Sequence, residues 1–396
     1  MKKNILIVVI ILAVTGYIAG VLTTKKLAEE QLPRMLTEFS EYHEVSINVE
    51  WLEQGFRSGK LRVYGENAVD DSMSLTFSEE VHLTYGFLSA RWQGQGSSQF
   101  TSILADEPIA PYTYTSTGKV SRGGLFVDYA ADEFKAEFDG MVFDIAPATV
   151  QVALVGNKVV ADWQFPSVKI GTPGIDVLSM NDVKAHWGTQ IRNGIAEVVD
   201  LRVDIGSMSF TGEQEQWQSD GIRYTFFMDL TRDTATLYGT TAMDIPFLEG
   251  RNEVDMEWRL NGVLANDVIK IQQYFLTGEM DDFDLELVQS LNLETQEPEL
   301  ELTRFNGTSE QFGTLTMSGK VALMLDVWLE TLELLENDEL VDYGWVMNGV
   351  RLDLTVAEMP PMMQMLLLTL PAEAQEMPLR LTIENGVLEA NGFPIQ

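Results

Sequence analysis

The chain has 396 residues, with 60 acidic side chains against 26 basic ones, a formal net charge of −34, three histidines and no cysteine. Such charge repels phosphate backbones and excludes nucleic acid as a partner, while the lack of cysteine excludes disulfides, thiol nucleophiles, iron–sulfur clusters and thiolate zinc sites. With 45% apolar residues the chain is able to bury a core, and at about 100–200 residues per domain it fits two or three domains or one extended one.

At the amino terminus, Ile5–Leu22 is a run of 18 uncharged, mostly apolar residues preceded by Lys2 and Lys3. At about 1.5 Å per residue a helix of that length reaches roughly 27 Å, close to the hydrocarbon thickness of a bilayer. The small-residue pattern of signal cleavage fails at Ala19, with Tyr17 two positions before it, and at Gly20, with Ile18 there; a retained anchor is predicted. Basic residues flank the run on both sides, so charge alone leaves orientation nearly even. The short tail before it favours a cytoplasmic N-terminus, a bacterial inner-membrane span and a periplasmic body. Residues 1–28 hold four lysines and no acid, which leaves 22 basic and 60 acidic side chains for the rest. Anchor and tail are assigned to 1–24. A helical stalk over 25–44 follows, with Leu32, Met35, Leu36, Phe39 and Tyr42 as its apolar stripe.

From Val45 the period changes to two. Ile47, Val49 and Trp51 alternate with Ser46, Asn48 and Glu50; Val254, Met256, Trp258 and Leu260 alternate with Asp255, Glu257 and Arg259; Leu379, Leu381 and Ile383 alternate with Arg380, Thr382 and Glu384. One apolar and one charged side is the mark of antiparallel sheet with a wet face. Asn-Gly pairs at 193–194, 261–262, 306–307, 348–349, 385–386 and 391–392, with Gly156–Asn157, supply the positive φ angles of tight hairpins. A phase change around Gly206 predicts a β-bulge. Helices are expected over Asn266–Leu276 and Pro360–Leu370, the latter ended by Pro371; Val327–Leu340 reads as either a helix or a strand pair. The fold class predicted is mostly β: an anchor and stalk, then a long curved antiparallel sheet with a few helices on its concave side. Its N-terminal β part covers 45–262 and its C-terminal part, with helices, 263–396.

Two stretches carry a family resemblance. Trp51-Leu52-Glu53-Gln54-Gly55-Phe56-Arg57-Ser58 resembles the aromatic, Arg-Gly, aromatic, Ser hairpin near the start of YdgA-like bacterial envelope proteins. Ile383 to Gly392, with Gly386, Leu388, Asn391 and Gly392, is similar to that family's closing strand pair. Gln54 stands where the family has a basic residue, and Tyr85-Gly86-Phe87 where His-Gly-Pro is expected. The resemblance implies an inner-membrane-anchored periplasmic protein with no defined catalytic residues, and none are carried over.

Chemistry-bearing constellations are sparse. Among so many acids some pair always falls at glycosidase spacing, so no pair is distinguished. Asp282, Asp284 and Glu286 line one strand face but lack the glycine and distal glutamate of a calcium loop. His43, His82 and His186 stand alone, without the spacing of a zinc site. Ser121-Arg122-Gly123-Gly124 lacks the lysine of a phosphate loop and reads as a turn. No catalytic residue, metal site or cofactor is expected. The segment Met359-Pro360-Pro361-Met362-Met363-Gln364-Met365, continuing through Leu366 and Leu367, is the one stretch with marked chemical character, since thioethers suit adaptable apolar surfaces. It is expected to line an apolar groove for a lipid-like ligand or a segment of an envelope protein partner. The alternatives are an acidic interaction protein that binds a basic partner or divalent cations and, last, a carboxylate-dependent envelope polysaccharide hydrolase.

Overall fold

The computed structural model describes residues 18, 21–26, 29, 46–70, 73–102, 111–138, 140–173, 175–192, 195–212, 216–244, 252–277, 291, 297–324, 327 and 348–395. They form one large open antiparallel sheet of 22 strands with few helices. The strands are β1 (Ser46–Gln54), β2 (Ser58–Asp70), β3 (Met73–Gly86), β4 (Ser89–Ser102), β5 (Tyr112–Ser121), β6 (Gly124–Ala131), β7 (Phe134–Phe138), β8 (Met141–Ile145), β9 (Ala148–Val155), β10 (Lys158–Thr172) and β11 (Ile175–Arg192). They continue as β12 (Ile195–Thr211), β13 (Gln216–Ser219), β14 (Ile222–Asp229), β15 (Thr236–Asp244), β16 (Asn252–Asn261), β17 (Glu299–Ser309), β18 (Gly313–Leu323), β19 (Val350–Glu358), β20 (Leu379–Glu384), β21 (Val387–Ala390) and β22 (Phe393–Pro394). Helices among the described residues include α1 (Ala265–Thr277) and α2 (Pro361–Leu367). The chain divides into two compact units, Met1–Lys184 with Ser209–Gln216, and Ala185–Met208 with Trp217–Gln396. The boundary expected at 262 lies inside the second unit, between β16 and α1.

Strands β1 to β6 of the first unit form a meander in which each strand pairs with the next in sequence, the arrangement that short turns impose on alternating segments. The ladders run β1–β2–β3–β4–β5–β6 and then through β9 to β10. β6 and β7 keep one register against β9 and β8, from Leu125↔Leu154 to Phe138↔Met141, so the four segments form one long hairpin interrupted halfway. The interruption sets Asp132–Glu133 opposite Ala146–Pro147, where proline has no N–H to give the ladder. Asp132 N donates to Thr113 O at 3.0 Å and Ala146 N to Ser167 O at 3.0 Å, which carries the flanking ladders across the gap.

In the second unit β12 pairs with β14, and the ladder continues in sequence order from β14 to β22. The β12–β14 register runs to Ile205↔Ile222, up to the glycine where the phase changes. Helix α1 matches the expected amphipathic helix within a residue at each end. Its Ala265, Val268 and Ile269 join Met228, Leu230, Ala235 and Leu237 in one cluster, and Gln272 Nε2 donates to Ala196 O at 3.3 Å.

The Asn-Gly pairs divide by context. Asn385–Gly386 (φ 51°, 76°) and Asn391–Gly392 (φ 49°, 80°) turn the two closing hairpins, and Gly156–Asn157 turns β9 into β10. Asn306–Gly307 instead lies in the middle of β17, paired with Asp255 and Val254 of β16. Asn261–Gly262 leads from β16 towards α1, and Asn348–Gly349 precedes β19. The pair at 193–194 lies outside the described residues.

Of the expected anchor, only Ile18 and residues 21–24 are described, and of the stalk Lys25, Lys26 and Glu29. No helix among the described residues is long and apolar enough to cross a membrane. Residues 21–26 are helical, and Val21 is buried with Leu61, Val81, Leu83, Tyr85 and Ala90. The end of the predicted span therefore packs on the first strands of the sheet.

Candidate functional site

Registers across β1–β6, β9 and the first half of β10 place the apolar parity of these strands on one face; past the interruption the apolar residues Phe134, Ala136, Phe143 and Ile145 of β7 and β8 take the other parity. One cross-strand row runs Trp51, Leu61, Val81, Gly94, Ser116, Tyr129, Val150, Trp163, and a second runs Leu83, Trp92, Gly118, Val127, Val152, Ala161. Among the described residues of β1–β6, β9 and the first half of β10, this face carries one carboxyl in its parity, Glu79, flanked along β3 by Phe77 and Val81. The Ser116 hydroxyl, 1% exposed, donates a short hydrogen bond to Glu79 Oε1. The Tyr114 hydroxyl donates to the same carboxyl, and the Tyr114 and Tyr129 rings meet edge-on at 6.0 Å.

Burial dominates the electrostatics of the cluster. It pushes the Glu79 carboxyl above its ordinary value, against the two hydroxyls that favour its charged form. Burial, and then the Glu79 charge, push the Tyr129 phenol up to about 12 and the Tyr114 phenol higher still. Perturbed groups gathered in one place mark a candidate site. Two glycines make room for it. A Cβ on Gly94 would collide with Glu79 and Ser116, and one on Gly96 with the Tyr114 ring. Ser116 is buried and committed to Glu79, so the cluster holds a carboxyl within an apolar face and presents no nucleophile to solvent.

The opposite face of the same strands is polar. Lys60 and Arg62 both bridge Glu80, at 2.7 and 3.1 Å, and hold its carboxyl below the ordinary range. A concavity of about 730 Å³ lies over this face at β1–β4.

The methionine-rich segment does not stay together as a groove. Met359 and Leu367 pack into a cluster with Val356, Ala374, Leu379 and Ala390. Met362 and Met365 on α2 are 66% and 67% exposed, Met363 is also exposed, and the Leu366 side chain lies outside the described residues. Of the first resemblance stretch, Trp51 packs against the core of β2–β4, Gly55 closes the β1–β2 turn by donating to Ser58 O at 2.8 Å, and Phe56 and Ser58 are exposed. In the closing stretch Gly386 and Gly392 occupy turns and Leu388 is half-buried on β21. Asn391 acts as a clamp. Its Oδ1 accepts from Arg380 N at 2.8 Å, and its Nδ2 donates to Ala374 O at 3.1 Å and Glu376 O at 2.8 Å. These residues are brought together as structure, not as one site.

His82 is exposed on β3 and His186 half-buried on β11, while His43 and Asp282, Asp284 and Glu286 lie outside the described residues. Among the described residues no group of three or more metal-ligating side chains gathers. Ser121–Gly124 is the β5–β6 turn, as its glycines imply. The Glu79 cluster was missed by motif reading, although one signal for it exists: Phe77, Glu79, Val81, Leu83 and Tyr85 alternate in phase, and a single acid stands in the apolar phase.

No family model, curated protein or solved structure matches this chain.

Proposed function

We propose that this chain is a non-enzymatic, inner-membrane-anchored envelope protein of YdgA-like type that holds a lipid-like ligand against the apolar face of its first unit. The observation that carries the reading is the extent of that face: across the registered strands from Trp51 on β1 to Trp163 on β10 the row is apolar or aromatic except at Gly94 and Ser116 beside Glu79. Large apolar surfaces in exported proteins call for a cover or a ligand. Val21 supports the same reading. It lies one residue from the end of the predicted span Ile5–Leu22 and is buried against Leu61 and Leu83, so the apolar face would start where the chain leaves the bilayer. A lipid passing from the periplasmic leaflet onto the sheet would cross little water. Glu79 and Tyr114 give the face one polar point for the ligand's hydroxyl or amide.

The test uses the full chain in bacterial membranes with a photo-crosslinking amino acid at Val150 or Val152, and at Gln151 on the opposite face as control. Lipid adducts at 150 and 152 and none at 151 are expected. Cross-links confined to the chain itself, or adducts equal at all three positions, would overturn the reading in favour of a closed core.

A further inference from the structure

We propose that the concavity on the polar face of β1–β4 is a carbohydrate site for a short, neutral oligosaccharide. Its floor is built from cross-strand rows. Asn48, Tyr64, Ser78 and Ser97 face one another across four strands, and Ser46, Glu66, Thr76 and Gln99 form the next row. The hollow measures about 730 Å³ and is open to solvent along the sheet, within the range of about 300–1,000 Å³ typical of small-molecule sites.

The chemistry of the floor selects the ligand. A pyranose ring has an apolar C–H face and a rim of hydroxyls that both donate and accept. It is matched by an exposed aromatic plate beside uncharged side chains of the same double capacity. Tyr64 is such a plate, 41% exposed on the polar side of β2. Its strand neighbours Ser78 and Ser97 are the smallest hydrogen-bonding side chains, so the surface drops away beside the ring. Asn48, Thr76 and Gln99 supply amide and hydroxyl groups around it.

Charge narrows the class further. Arg62 borders the hollow, but its guanidinium donates to Glu80 Oε1 at 3.1 Å and lies 3.9 Å from Glu50 Oε2. Lys60 shares Glu80 at 2.7 Å, so two cations stand against Glu50 and Glu80. Glu66 lines the site as a further carboxylate, and the whole chain carries −34. Phosphorylated, sulfated or uronic acid glycans would meet net repulsion, whereas a neutral chain would not. The rows that build this site belong to the opposite parity of the same strands from the apolar face, with Gly65 and Phe77 of the apolar parity also bordering the hollow.

The test is saturation-transfer NMR and calorimetry on the full chain in a zwitterionic detergent without sugar headgroups, with maltoheptaose, cellohexaose and chitohexaose as probes. Binding of at least one in the millimolar range or tighter is expected, unchanged at 0.5 M NaCl. Tyr64→Ala should weaken it at least tenfold. Ser78→Trp, which fills the hollow on an exposed strand position, should abolish it while the circular dichroism spectrum stays that of the wild type. Three results would each overturn the proposal: no binding of any probe, binding that Tyr64→Ala and Ser78→Trp leave intact, or binding lost in salt.

Discussion

At the scale of single residues, Glu79 and Tyr85 are polar groups that the apolar face of the first unit tolerates at a cost. A carboxyl whose pKa is raised by folding binds more protons in the folded chain than in the unfolded one. Stability therefore falls as pH rises from the ordinary carboxyl value through the folded one, then levels off. Glu79→Gln keeps an acceptor for Ser116 and removes the titration. The variant should be close to wild type in urea midpoint near pH 4, should gain on it as pH rises through the folded value of Glu79, and should hold that gain at higher pH. A difference that stays flat, or shrinks with pH, would show that Glu79 is not held above its ordinary value. Tyr85 poses the same question without titrating in the working range. It is 0% exposed, its phenol is pushed up to about 12 by burial and the Glu29 charge, and its hydroxyl meets no hydrogen-bond partner among the described residues. A buried unsatisfied group costs about 1–3 kcal/mol. Tyr85→Phe should accordingly raise stability by ~1 kcal/mol in equilibrium denaturation, and a loss would mean the hydroxyl is paired.

At the scale of elements, the turn at Asn391 shows what the sequence made legible and what it did not. The two closing hairpins were readable because Asn385–Gly386 and Asn391–Gly392 stand between short alternating runs and adopt the positive φ angles they favour. Asn306–Gly307 has the same letters, yet long-range pairing with β16 and β18 draws it into a strand; local turn chemistry gives way where two neighbours complete the ladder. Nor did local pattern reveal that Asn391 reaches back to residues 374 and 376, because that contact depends on how the 371–378 loop folds over β21. Its three backbone hydrogen bonds and left-handed φ of 49° set it apart from the nearby Arg380–Asp353 pair. That pair is bidentate at 2.9 and 2.8 Å, but both side chains are more than half exposed. Asn391→Ala should cost about 1–3 kcal/mol and Arg380→Ala, which breaks only an exposed pair, markedly less, measured by urea unfolding of the same preparation. The reverse order would make the exposed ion pair the dominant tie.

At the scale of the whole molecule, fold class followed from period-two alternation alone, because an antiparallel sheet with one wet face repeats its demand at every strand. The Glu79 cluster did not follow, since it requires the register that brings Gly94, Gly96, Tyr114 and Ser116 opposite one carboxyl, and register is fixed across strands rather than along them. Charge, by contrast, is a property of the entire chain and needs no register. The excess of 34 negative charges repels itself at low ionic strength, and the screening length falls from about 10 Å at 0.1 M salt to 3 Å at 1 M. Salt also weakens the exposed pairs such as Lys60–Glu80 and Lys320–Glu299, which contribute little to stability at an exposed surface. Pairs act only between neighbours, whereas the unmatched carboxylates act on one another throughout, so relief of repulsion should prevail. Raising NaCl from 20 to 500 mM is expected to stabilise the protein by ~1 kcal/mol, read as a rise of about 2–4 °C in Tm for units of this size. Sodium chloride and an equal ionic strength of choline chloride should act alike if screening is the cause. A fall in Tm would mean that the surface pairs outweigh the repulsion, and a rise specific to sodium would point to bound cations instead.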